Sequence, residues 1–223
     1  MFALRGDAIE CPCCGRHFAR LMDDWNRPNA ICPRCGSHER HRMFWLWVRD
    51  RAEVRGDVLH FAPEYCLEGN LRNLPGLRYR TSDLADTGAD LQLDITAMSL
   101  PDESLDVIIC SHVLEHVEDE RAALAELRRV LRPGGWAAVL VPVDHDREQT
   151  YEDPAIVTPQ QRVSAYWQHD HVRLYGRDIT ARLAAGGFDV EVEAYARDLG
   201  AAARERHRLL VGDEIYRCVR PEA

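Results

Sequence analysis

SLPDESLDVIICSHVLEHVEDERAALAELRRVLRPGGWAAVLVPV, residues 99–143, holds two short apolar runs, 105–110 and 137–141, on either side of a helical pattern. Within that pattern Ala123, Leu124, Leu127, Val130 and Leu131 recur at helical spacing, which puts them on one face of a helix over 119–131. Arg132-Pro133-Gly134-Gly135 stops the helix just before the second run. Short apolar runs flanking one helix read as buried parallel strands joined by a crossover, the βαβ unit.

The same alternation extends in both directions. Strands are expected near 58–61, 77–81, 91–93, 188–194 and 214–219, and helices over 63–71, 159–167 and 178–185, so the fold class is α/β. In open α/β sheets a ligand sits beyond the carboxyl ends of the strands, at the switch in strand order. The residues there are His60, Phe61, Ala62 and Glu64 after the first strand of this region and Asp83 after the second. Asp94 follows the third, and Cys110, Ser111 and His112 the fourth.

Ahead of this pattern stand Cys11-Pro12-Cys13-Cys14-Gly15 and Cys32-Pro33-Arg34-Cys35-Gly36, with 17 residues between Cys14 and Cys32. A C-x2-C pair on a tight turn aims two thiolates at one point, and two such knuckles complete a tetrahedral S4 shell suited to zinc. Cys11, Cys14, Cys32 and Cys35 are the ligands; Cys13 points elsewhere, and His17, His38 and His41 are near enough to substitute. A shell closed by four thiolates has no position for water, so the metal is structural. Ser37 is placed to cap a following helix whose apolar stripe includes Phe44 and Trp47, with Arg34, Arg40, Arg42 and Arg49 on its solvated flank. The expected division is a zinc ribbon plus connecting helix over 1–55 and a catalytic domain over 56–223.

All 28 cationic side chains are arginine, and the net charge is −9. Residues 1–56 carry +3 and residues 57–223 carry −12, which argues against broad nucleic-acid binding and directs any polyanion contact to the front segment. No window approaches the about 18–20 apolar residues of a membrane span. The start MFALRGDAIE has no apolar core of a secretory signal, and the eight cysteines suit metal or buried thiols better than disulfides. A cytoplasmic location is expected, with no membrane contact and no obligate protein partner.

The chain resembles the Rossmann-like, class I S-adenosylmethionine-dependent methyltransferases, of the methyltransferase type 11-like group, with an amino-terminal zinc ribbon. The resemblance rests on RYRTSDLAD (78–86), ADLQLDIT (89–96), the run 99–143 and DHVRLYGRDITARLAAGGFDVEV (170–192). It implies a seven-stranded, mostly parallel Rossmann-like sheet with helices on both faces and an antiparallel strand from the last hairpin. It also implies S-adenosylmethionine as cofactor. Asp83, with Leu84 beside it, corresponds to the acid that accepts bonds from the ribose hydroxyls. Asp94 and Ile95 flank the adenine, and Ser111 and His112 line the floor of the methyl-donor cleft. The first loop departs from the family, which has an acid and then G-x-G-x-G: this chain has His60 and then Ala62, Glu64 and Cys66 at the glycine positions. Pro63 is expected to open the next helix, and Glu64 to meet the ammonium of the cofactor in place of the missing acid.

Methyl transfer from a sulfonium demands alignment and a free lone pair on the acceptor. Where the acceptor carries a proton, a histidine near the methyl group can remove it, and His145 or His112 is the candidate base. A metal site from His145, His169 and His171 is a further alternative. The acidic segment 144–159 reads as a mobile wall over the acceptor pocket. The leading reading is a methyltransferase acting on a small molecule. The alternatives are an RNA base methyltransferase that uses the front segment for RNA contact, and a non-catalytic scaffold that lost the cofactor loop.

Overall fold

The computed structural model describes residues 4–25, 27–85 and 88–222. The amino-terminal part holds two antiparallel hairpins, β1 (Ile9–Cys11) with β2 (Arg16–Phe18) and β3 (Met22–Asp24) with β4 (Arg27–Ile31), and then helix α1 (Glu39–Asp50). There follow β5 (Gly56–Phe61), α2 (Tyr65–Arg72), β6 (Leu77–Asp83), β7 (Leu91–Gln92), β8 (Leu105–Ser111), α3 (Glu120–Val130) and β9 (Leu131–Leu140). The chain continues through α4 (Pro159–Tyr166), α5 (Ile179–Ala185), β10 (Asp189–Glu193), α6 (Tyr195–Asp198), α7 (Ala201–His207) and β11 (Ile215–Val219).

These elements form two compact units. The first takes the described part of Met1–Val54 with Pro63–Leu77 and Glu193–Ile215; the second takes Arg55–Ala62, Arg78–Val192 and the described part of Tyr216–Ala223. In the first unit α1 packs on α2 and α6 and buries Met43, Phe44, Leu46 and Trp47. Its stripe is core. Arg42 corrects the expectation of a solvated flank: the side chain is fully buried and donates to the carbonyls of Ala30, Ser37, His207 and Arg208 at 2.7–2.9 Å. Five guanidinium donors are enough to saturate four carbonyls that water cannot reach. The residue preceding the helix is His38 rather than Ser37, because the Ser37 hydroxyl is turned to Cys11 Sγ at 3.2 Å.

The seven-stranded sheet has the order β10-β11-β9-β8-β5-β6-β7. β5 and β8, β8 and β9, and β6 and β7 pair in parallel, and β11 runs antiparallel to β9, the mostly parallel Rossmann-like arrangement expected. The helices flank a core of Leu59, Ile108, Cys110, Leu124, Leu127, Ala137 and Val139, the residues whose spacing marked the strands and α3. Arg132-Pro133-Gly134-Gly135 ends α3 but lies inside β9, where Gly134 and Gly135 exchange main-chain bonds with Arg220. The chain runs β5, β6, β7 toward one edge and then returns to place β8 on the other side of β5. The switch in strand order therefore falls between β5 and β8.

Candidate functional site

In the first unit, Cys11, Cys14, Cys32 and Cys35 bring their sulfurs within 4.8 Å of one another. Cys11 and Cys35 are 3.6 Å apart and Cys14 and Cys32 3.8 Å, close to the ~3.8 Å edge of a tetrahedron built on Zn–S bonds of about 2.3 Å. Gly15 and Gly36 make the knuckles possible. Each holds φ near 70° and donates its amide to the carbonyl of the first cysteine in its turn, at 2.8 and 2.9 Å. Cys13 faces the carbonyl of His41 and takes no part, as expected. The group of ligand atoms contains none of the three neighbouring histidines: His17 pairs with Asp7, His38 Nδ1 lies 3.7 Å from Oδ2 of Asp24, and His41 Nδ1 accepts the amide of His38. The four thiols fit a zinc ion and leave it no open position.

In the second unit, the carboxyl ends of β5 and β8 lie side by side at the switch point, with Phe61 opposite Cys110. His60 is buried and its Nδ1 bonds the hydroxyl of Tyr79 at 2.8 Å, while Phe61 is part of the core. Ala62, the first glycine-position residue, adopts φ 45° and donates its amide to the carbonyl of Ser82 at 2.8 Å. The left-handed turn of a glycine loop is thus kept on the smallest side chain that has a Cβ. Pro63 does not open α2, contrary to expectation. The backbone of Glu64 is extended, so Glu64 takes the cap position and the helix starts at Tyr65. Glu64 Oε1 stands 3.6 Å from Nε2 of His41, within the first unit.

Asp83 ends β6 opposite Gln92. Among the described residues its carboxylate is engaged only through Oδ1, which accepts the amide of Ala85 at 3.0 Å. Leu84 is exposed, and its carbonyl accepts from the side chain of Gln92. Asp94 caps a turn by accepting from the amide and hydroxyl of Thr96, bonds that hold its carboxyl below the usual range. Ile95 is turned into the core. Ser111 is buried at the end of β8, and His112 follows at φ 53° with its amide on the carbonyl of Leu140.

His112, expected on the floor of the methyl-donor cleft, precedes the short turn Leu114–His116. Its Nδ1 lies 3.0 Å from Oε1 of Glu115, and Glu115, His116 and His171 bring ligand atoms within 4.8 Å of one another. Of the alternative metal set, His171 lies beside Glu115 and His116, whereas His145 sits on an exposed turn and His169 is exposed beside Asp170. Burial lowers the pKa of His171, which favours the neutral imidazole. The segment 144–159 is also more firmly held than expected. Tyr151 and Leu174 exchange both main-chain bonds, and Thr150 donates to Asp178 through its amide and hydroxyl.

Residues 67–139 match the family model described as a methyltransferase domain. An uncharacterized 37.1 kDa protein in transposon TN4556 of Streptomyces fradiae is 34% identical over 110 residues, 49% of this chain and 27% of that protein. An uncharacterized methyltransferase of Schizosaccharomyces pombe is 28% identical over 114 residues, 49% of this chain and 37% of that protein. The chain thus spans well under half the length of these curated relatives. Among solved structures, a chain of the complex of the Haloferax volcanii Trm112 methyltransferase activator aligns with a TM-score of 0.57 at 18% identity, over 82% of this chain and 91% of its own. The [4+2]-cyclase SpnF aligns at 0.56 and 14%, over 92% and 86%. An S-adenosylmethionine-dependent methyltransferase from Mesorhizobium loti aligns at 0.53 and 20%, over 80% and 98%. Such likenesses speak to the fold, and the fold is that of class I, Rossmann-like S-adenosylmethionine-dependent methyltransferases, with an amino-terminal cluster of four cysteines able to coordinate zinc.

Proposed function

We propose that the chain is an S-adenosylmethionine-dependent methyltransferase acting on a small molecule or metabolite, with a structural zinc ion in the cysteine cluster. The observation that carries this reading is the pairing, at neighbouring strand ends, of the left-handed Ala62 turn with the available carboxylate oxygen of Asp83. An ionised carboxylate accepts two hydroxyls, which suits Asp83 to a ribose. Leu84, Asp94 and Ile95 would border the adenine side, and His60, Phe61, Ser111 and His112 the inner wall. The cofactor, when bound, supplies a methyl group on a sulfonium centre.

What this chain adds is alignment and proton handling. Of the two histidines assigned to proton removal, His112 stands at the switch point with Nδ1 3.0 Å from Oε1 of Glu115, while His145 lies on the exposed turn beyond β9. His112 is the better placed to take a proton from a hydroxyl or ammonium acceptor.

A small acceptor is favoured over RNA because Phe44 and Trp47 are buried and Arg42 is spent on main-chain carbonyls. An RNA contact would be left with exposed side chains such as Trp25, on the turn between β3 and β4, and Arg34. Among the described residues no helix is long and apolar enough to cross a membrane, and all eight cysteines are free thiols. The unpaired cysteines support a cytoplasmic location.

Calorimetric titration of the zinc-loaded protein with S-adenosylmethionine and S-adenosylhomocysteine tests the reading. Micromolar binding that is lost in Asp83→Ala is expected, and Glu64→Gln reports whether that carboxylate meets the cofactor ammonium. Absence of binding by folded wild-type protein would favour the scaffold. Co-purified RNA, with binding that weakens steeply in salt, would favour the RNA enzyme.

A further inference from the structure

In the second unit two segments far apart in sequence are stapled together just beyond the carboxyl end of β8. The amide of Val172 donates to the carbonyl of Glu115 at 2.8 Å, which brings His171 against the turn Leu114–His116. The imidazoles of His116 and His171 meet edge to face with centroids 4.8 Å apart.

Glu115 brings a carboxylate oxygen within 4.8 Å of a ring nitrogen of each, with 1% of its surface exposed, and among the described residues neither carboxylate oxygen has a hydrogen-bond partner. His112 Nδ1, 3.0 Å from Oε1, lacks hydrogen-bonding alignment. The fold treats its other buried acid here quite differently: Glu120 accepts the Tyr175 hydroxyl at 2.6 Å and a two-pronged contact from Arg182. Nor does the nearby buried Arg173 neutralise Glu115, since its guanidinium goes to the carbonyls of Leu114, Val117 and Glu118 and to Glu152. A buried carboxylate without donors is expensive unless a cation meets it.

We propose that Glu115, His116 and His171 form a second metal site, separate from the cysteine cluster, for a divalent transition-metal ion such as Zn2+. Two imidazoles and one carboxylate are a donor set for such an ion, and all three ligand atoms lie within 4.8 Å of one another. The ring orientations agree. His171 Nδ1 donates to the carbonyl of Tyr166 at 2.9 Å, which leaves the lone pair on Nε2. His116 Nδ1 lies 3.4 Å from Oδ2 of Asp170, the carboxylate–histidine arrangement that orients a ligand from behind.

Three protein ligands leave at least one coordination position, and the 31% exposure of the His116 side chain gives solvent a way in. That position would take an oxygen ligand, either water or a hydroxyl or carboxylate of the methyl acceptor. The acceptor clause rests on the methyltransferase reading; metal binding does not.

Titration with Co2+ of protein carrying a single equivalent of zinc, held at the cysteines, followed by visible absorption, tests the site. The expected result is saturation at one equivalent, with d–d bands of nitrogen and oxygen coordination and no thiolate-to-cobalt charge transfer. In Glu115→Gln and His116→Gln the Co2+ affinity should fall at least about tenfold while the cysteine-bound zinc is retained. A wild type that shows only the spectrum of free Co2+, or only thiolate charge transfer from exchange at the cysteines, overturns the proposal. So do bands unchanged in both variants. The wild-type titration decides even if a variant fails to fold, which circular dichroism would reveal. S-adenosylmethionine binding measured on the same samples separates the two readings, because cobalt bands without cofactor binding leave the site standing and sink the methyltransferase.

Discussion

The amide of Ala62 donates to the carbonyl of Ser82 at 2.8 Å while Ala62 itself holds φ at 45°. That bond fixes where the chain leaves β5, and it demands a backbone conformation that costs an L-residue roughly 1–2 kcal/mol. Glycine would remove this cost but lose about 0.4–1 kcal/mol through the unfolded chain. Ala62→Gly should therefore be neutral or stabilising by up to about 1.6 kcal/mol in urea denaturation. Ala62→Val, with a β-branched side chain forced into the left-handed region, should cost more than about 1 kcal/mol. A large loss from the glycine variant would mean that the left-handed turn is not formed.

The cysteine cluster is expected to hold the first unit together. Its hairpin strands are three to five residues long, too short to supply a core of their own, and Cys11 and Cys32 are fully buried. Structural zinc in small modules contributes on the order of 10 kcal/mol to folding. Chelation, or Cys32→Ser, should abolish amide protection in β1–β4 and in α1 while β8 and β9 remain protected in hydrogen exchange. Protection that survives metal removal in β1 and β4 would show that the ion is dispensable.

How much of this was legible in the sequence depends on how local each signal was. The strands β5, β8 and β9 and helix α3 carry their own periodicity, and each cysteine knuckle is spelled in five residues. The hairpins β1–β4 carry no such pattern because their short strands are organised by the knuckles. α6 and α7 were missed for the same reason, being one or two turns long. Ser37 satisfied every local rule for a helix cap, yet its hydroxyl went to Cys11, 26 positions away. Arg42 looked like one more arginine on a charged helix because the carbonyls of His207 and Arg208 are invisible to a local reading. Glu115 and His116 likewise lie far in sequence from His171, and they are joined by the main-chain bond from Val172 and by the bonds of Arg173, none of which a local reading can see.

Arg42 gives a third test. The guanidinium is buried and its donors reach four carbonyls from three parts of the chain, a geometry that the three rotatable donors of lysine cannot reproduce. Arg42→Ala leaves those carbonyls unpaired and should destabilise by about 3–5 kcal/mol, with Arg42→Lys intermediate at about 2 kcal/mol or more. Chemical denaturation with zinc held in excess separates this loss from a loss of metal. A lysine variant as stable as wild type would show that charge alone, without the fork geometry, is what the site needs.

Asp213 gives stability a dependence on pH. Its Oδ2 is buried with no hydrogen-bond partner among the described residues, and burial, helped by the like charge of Glu39, pushes the carboxyl up to about 6 from an ordinary value of 3.8. Between those values the folded protein binds the proton more tightly than the unfolded chain does. Folding stability is then highest below 3.8, falls as pH rises through that window, and carries its full deficit above about 6. Asp213→Asn removes the ionisable group, so it should stabilise the protein at pH 8 by on the order of 1–3 kcal/mol. The gain should be visibly smaller at pH 5, where the folded wild type is still largely protonated at this position. Thermal unfolding of both proteins at the two pH values, with zinc in excess, measures the difference directly. An equal gain at both pH values would place the effect in packing or hydrogen bonding rather than in the charge of Asp213.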